Sequence, residues 1–121
     1  MIRENVMERF DTIRSVRRAD ALRRIPGPQA ERSQEVFRHG SLQVKVYSPV
    51  GSDPQSPHSR DEAYVVIAGS GTFVSDAGRQ PFGPGDFLFA PAGVSHRFEE
   101  FTDDFAVWVF FYGSEGGERA G

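Results

Sequence analysis

Cysteine is missing from all 121 residues. Its absence excludes disulfides, thiolate metal sites, iron–sulfur clusters and a cysteine nucleophile together, and suits a reducing compartment. Long apolar runs are missing too: no stretch approaches the ~20 consecutive apolar residues of a membrane span. The opening MIRENVMERF is charged from its third position and lacks the apolar core of a secretory signal. A cytoplasmic protein with no membrane partner is the expectation. Basic charge is scarce where a nucleic-acid groove would need it. Residues 1–24 hold seven arginines against four acids, whereas the remaining 97 carry seven basic and thirteen acidic side chains, within a net charge of −3. No basic stripe is left for a phosphate backbone. The arginine-rich start reads as the solvated face of a helix, so no nucleic-acid partner is expected.

What the chain does have is phenylalanine, 11 residues of it, within an apolar content of 38%. One domain of this length can bury a core without staples. Ile2, Val6, Phe10 and Ile13 recur near a helical period with charges between them, and Pro26-Gly27-Pro28 ends that pattern. Residues 1–31 are therefore expected to form a helical N-terminal segment. From residue 32 the period changes to two. Residues 36–42 read as strand, tight turn and strand, with His39-Gly40 at the bend, and Leu42, Val44 and Val46 alternate with Gln43, Lys45 and Tyr47. A proline-rich polar loop follows over 48–60. Further strands are expected at 63–68, 72–75, 80–82, 86–90, 95–98 and 105–112, nearly all divided by Gly, Pro or Asp. Many short, evenly spaced strands indicate a sandwich or barrel over 32–113. Residues 114–121, glycine-rich and polar, read as a flexible tail.

Two glycine pairs, Gly69-Ser70-Gly71 and Gly83-Pro84-Gly85, open no helix and are followed by no Lys-Ser/Thr, so they read as hairpin turns rather than phosphate loops. The acidic cluster Glu99, Glu100, Asp103 and Asp104 reads as a solvated turn, apart from Glu100, whose parity with His96 and Phe98 is expected to aim it inward. On the last strand Val107, Val109 and Phe111 share one face and Trp108, Phe110 and Tyr112 the other. Both faces are apolar, so that strand should be buried on both sides.

The histidines carry the chemistry. His58 lies in the loop that feeds the 63–68 strand, and Glu62 follows four residues later. An even separation in extended chain puts side chains on one face, with Tyr64 and Val66 continuing it. The strand 86–90 ends at Pro91-Ala92-Gly93, a turn that returns the chain through His96. Two imidazoles and a carboxylate converging from neighbouring hairpins make a facial set for Fe(II), Mn(II), Zn(II) or Ni(II), with coordination positions left open. A carboxylate buried at Glu62 would be costly without such a partner. Arg60, near the same mouth, either anchors an anionic substrate or sits in solvent. His39 is a turn residue.

These residues resemble the two motifs of the cupin superfamily. The second motif is Gly, five residues, Pro-X-Gly, two residues, His, three residues, Asn. It is matched by Gly85, Pro91, Gly93 and His96, with Glu100 in place of Asn. The first is matched by His58, Glu62 and Gly69, while Ser56 stands where a further histidine is usual. The 15-residue gap from Gly69 to Gly85 is similar to the spacer of compact microbial cupins. The resemblance implies an all-β, double-stranded β-helix, or jelly roll, with one divalent metal near its centre. His58, Glu62 and His96 would be ligands and Gln55 or Ser56 the fourth, Gln55 having the wrong strand parity unless its proline neighbours distort the chain. It implies a metal-dependent enzyme of the dioxygenase or isomerase type acting on a small organic molecule, with Glu100 or Tyr64 handling a proton; the alternative is a non-catalytic ligand-binding or sensing protein. A homodimer is also implied, with residues 16–38 as the natural contact.

Overall fold

Alternating apolar residues punctuated by turn formers give eight antiparallel strands in the computed structural model, which describes residues 14–119. One short helix, α1 (Arg18–Leu22), precedes them. The apolar positions 2, 6, 10 and 13 behind the helical expectation lie outside the described residues. Strands β1 (Ser33–His39) and β2 (Leu42–Tyr47) form a hairpin across Gly40, whose φ of 58° is the left-handed conformation that glycine adopts freely. After the 48–60 loop come β3 (Asp61–Ala68), β4 (Gly71–Ser75), β5 (Gly78–Phe82), β6 (Phe87–Ala90), β7 (His96–Glu99) and β8 (Ala106–Tyr112).

The strands form two sheets, ordered β1-β2-β8-β3-β6 and β5-β4-β7. This is the jelly-roll arrangement that the strand pattern and the motifs implied. Strand β8 lies between β2 and β3, pairing Val109 with Lys45 and Tyr64, and Phe111 with Gln43 and Glu62. Its central place explains its two apolar faces. Val107 and Val109 are buried inward, while Trp108 and Phe110 meet Val16, Phe37 and Val44 in a groove outside. Residues 16–38, the expected dimer contact, include Val16, which is exposed, and Phe37 on β1, and both line this groove.

Between the sheets lies an aromatic core of Tyr64, Phe73, Phe82, Phe98 and Phe105, with ring centroids 4.8–5.8 Å apart. Such contacts add to the stability that burial of the rings supplies. Gly69 makes the turn from β3 into β4 at φ 85°, where a Cβ would fall 2.6 Å from the Phe105 Cα. The stretch expected to be a loose tail lies against the start of β3. The Gly116 N–H donates to the Ser59 carbonyl (2.7 Å) and the Glu118 N–H to Asp61 Oδ2 (2.7 Å). No helix among the described residues is long and apolar enough to cross a membrane.

Candidate metal centre

The site is assembled from three segments. Glu62 is the second residue of β3 and points inward on the same face as Tyr64 and Val66, all three buried. His96 opens β7 in the opposite sheet, after the turn through Pro91, Ala92 and Gly93. His58 comes from the loop before β3. Two hydrogen bonds tie that loop and β3 to the β6–β7 turn: Gly93 N–H to the His58 carbonyl (2.7 Å) and Ala92 N–H to Asp61 Oδ1 (2.9 Å). The turn that delivers one histidine is therefore pinned to the segment carrying the other.

The three side chains converge, one potential ligand atom from each lying within 4.8 Å of the others. Glu62 Oε1 is 3.0 Å from His96 Nε2 and 3.7 Å from His58 Nε2. Two donors each ~2.1 Å from one ion, at right angles, stand ~3 Å apart, so the spacing suits a shared cation. The His96 Nδ1–H donates to the Val94 carbonyl at 2.8 Å, which turns Nε2 toward Glu62 as the nitrogen that can ligate an ion once it has lost its proton. Burial opposes the charged form of His96, but the Glu62 carboxylate and the Val94 carbonyl outweigh it and raise the pKa above the usual value. Glu62 is 2% exposed. A carboxylate so buried calls for a cation or several donors.

Of the two residues considered for a fourth position, the structure brings in Gln55 and leaves Ser56 exposed. Gln55 Oε1 lies 3.2 Å from His58 Nε2 and 3.4 Å from the Tyr64 hydroxyl. Its amide nitrogen donates to Asp53 Oδ2 at 2.6 Å, which fixes the carbonyl end toward the cluster. Strand parity misleads here because the 48–60 loop contains no strand. Asp53, absent from the sequence reading, is the buried anchor. It accepts from the Phe98 N–H (2.8 Å), the Gln55 amide and the Tyr47 hydroxyl.

The two residues expected to handle a proton separate. Tyr64 is fully buried with its hydroxyl 2.9 Å from His96 Nε2. Burial and then the Glu62 charge push its pKa far up, so the phenol keeps its proton. Glu100 does not reach the site. Its backbone turns left-handed (φ 55°) at the end of β7, breaking the alternation that would have aimed it inward. Its side chain is 71% exposed and pairs with Arg79 at 3.2 Å. Arg60 donates to the Ser41 carbonyl at 2.8 Å.

A cavity of about 250 Å³ opens beside His58 and Glu62, lined also by Gln55, Lys45, Val109 and Phe111. That volume lies just under the usual range for drug-sized ligands and suits a small organic molecule. Two antiparallel sheets with a His/Glu cluster set between them define a jelly-roll barrel able to hold a metal ion. The sequence profile of the Cupin domain matches residues 44–112, more than half of the chain, and the chain belongs to the cupin family. An uncharacterized protein of Streptomyces coelicolor is 33% identical over 79 residues, 64% of this chain and 75% of that one. Among solved structures, a Cupin 2 conserved barrel domain protein from Salinispora arenicola superposes with a TM-score of 0.61 at 22% identity, covering 85% of this chain and 89% of that one. The DMSP lyase DddQ from Ruegeria pomeroyi gives 0.60 at 25% identity, over 75% of this chain and 52% of the lyase. The chain thus spans about half of that enzyme.

Proposed function

We propose that this cupin holds one divalent metal through His58, Glu62 and His96, with the Gln55 carbonyl as a fourth donor, and that it is a metal-dependent enzyme acting on a small organic molecule. The observation that carries this reading is the convergence of three ligand atoms within 4.8 Å beneath a cavity of molecular size. Fe, Mn, Zn and Ni all suit two imidazoles and a carboxylate. A bound ion would act as a Lewis acid that polarises a coordinated substrate group. The chain's own residues supply the rest. Val109 and Phe111 give an apolar wall that excludes water, and Tyr64 holds a proton beside His96. Dioxygenase or isomerase chemistry suits such a site, and the likeness to the lyase DddQ adds lyase chemistry to those classes.

A second reading, a binding or sensing cupin without turnover, is favoured by one observation. Tyr64 keeps its proton and Glu100 lies outside, so neither offers a ready base. Cobalt substitution separates the two. Intense, tetrahedral-type visible absorption unchanged by added ligands fits a closed binding site, whereas a weaker spectrum that shifts with ligands fits open positions.

The test of the metal site is elemental mass spectrometry on wild type and on His58→Ala and His96→Ala. The expected result is close to one metal per chain in wild type and loss in both variants. Wild type that takes up no iron, manganese, nickel or zinc on dialysis overturns the reading.

A further inference from the structure

The chain contains 14 basic residues, of which 13 are arginine; Lys45 is the single lysine. It projects from the inner face of β2, half-buried, into the wall of the cavity that His58 and Glu62 also line. Among the described residues no carboxylate comes within ion-pair distance of it. Its register partner on β1, Glu35, feels the Lys45 charge but hydrogen-bonds to Arg38 at 2.7 Å and Gln43 at 2.8 Å instead. Val109, the cross-strand partner of Lys45 on β8, and Phe111 line the same cavity, and Lys45 shares a second hollow with Gln43, Arg60 and Glu115. An ammonium against apolar walls interacts more strongly with an incoming charge than one in open water.

The charge balance points the same way. Of the three buried carboxylates, Asp53 and Asp61 accept hydrogen bonds from backbone N–H groups, and Glu62 is the one that faces the candidate ion. None of the three forms an ion pair with Lys45, whose ammonium is left to meet an incoming anion. We propose, resting on the metal-site reading above, that the cavity takes a small organic anion whose carboxylate or similar monoanionic group pairs with the Lys45 ammonium. Arg60, the other cation near the mouth, is directed to the Ser41 carbonyl and to that of Gly113 (3.5 Å). Lysine rather than arginine at this position supplies a point charge that accepts an anion in many orientations. The anion's remaining atoms lie toward Val109 and Phe111, so a short apolar chain next to the charged group fits the lining.

Propionate and its neutral isostere propionamide are the probes. Each is titrated into zinc-loaded wild type, Lys45→Met and Lys45→Arg, followed by backbone amide NMR, with zinc content measured on the same samples. Wild type is expected to prefer propionate by about tenfold, the value of one partly desolvated ion pair. Lys45→Met, which keeps the hydrocarbon stem, should lose most of that preference while holding its zinc, and Lys45→Arg should keep it. If Lys45→Met loses its dispersed spectrum, Lys45→Gln takes its place. Equal affinity for the two probes in wild type, no saturable propionate binding, or an undiminished preference in the methionine variant overturns the proposal and leaves the metal site standing. A preference that depends on Lys45 in protein that takes up no zinc upholds the anion site and overturns the metal reading instead.

Discussion

At the scale of single residues, His96 links the site to pH. The Glu62 carboxylate and the Val94 carbonyl prevail over burial and hold its folded pKa above the ordinary value of 6.5. In metal-free protein the charged ring therefore adds stability at low pH, and that contribution disappears as pH rises through the folded pKa. Metal binding has the opposite slope, because Nε2 must give up its proton to become a ligand. Chelator competition between pH 8 and pH 5.5 should show affinity falling as the medium becomes more acidic, with the fall starting above 6.5. A flat profile would mean that His96 is not a ligand. His96, Glu62 and His58 were legible in the sequence because each sits at fixed spacing from a turn glycine or proline. Asp53 was not, and Gln55 could only be offered alongside Ser56. Their placement rests on a loop between prolines, where side-chain direction follows no period and only the hydrogen bonds to Phe98 and Tyr47 fix it. Glu100 was misread for the converse reason: its backbone leaves the extended conformation one residue after β7 ends.

At the scale of elements, the turns carry the constraints. Gly69 holds a left-handed φ and faces the Phe105 backbone, whereas Gly40 holds a similar φ with open space around it. Alanine at either position bears a conformational cost of about 1–2 kcal/mol. At Gly69 the 2.6 Å approach to a backbone atom adds to it, since backbone cannot rotate aside. Gly69→Ala is expected to lower stability by more than about 2 kcal/mol and Gly40→Ala by about 1, measured by urea unfolding. Similar losses in both would show that the Phe105 contact relaxes freely. The strands themselves were readable to within a residue or two, apart from β1, which starts three residues earlier than expected, since alternation and glycine punctuation are local signals. Their order was not, because the placement of β8 between β2 and β3 depends on pairing between residues far apart in the chain, such as Gln43 with Phe111 and Asp61 with Tyr112. The helical expectation for the start of the chain leaves only α1 among the described residues, five residues long.

At the scale of the whole molecule, the outer face of the larger sheet is unevenly covered. Val16 lines a groove over its β2–β8 half and is itself 37% exposed, while Phe87 is 65% and Phe89 43% exposed on the edge strand β6. Two exposed aromatics on an unpaired edge are a surface that a solvated monomer usually avoids. We propose that the homodimer implied by the family forms here. Sedimentation equilibrium should give twice the 13.5 kDa chain mass, and the double variant Phe87→Glu/Phe89→Glu should sediment as monomer with its metal content unchanged. A monomeric wild type would end that proposal. The lone lysine has a consequence of a different kind. A chain with one primary amine among its side chains, and that one in the cavity wall, offers acylating reagents a single side-chain target there. Its labelling rate would then report occupancy of the cavity directly, allowing candidate compounds to be ranked by how well they shield one amine before any reaction is known.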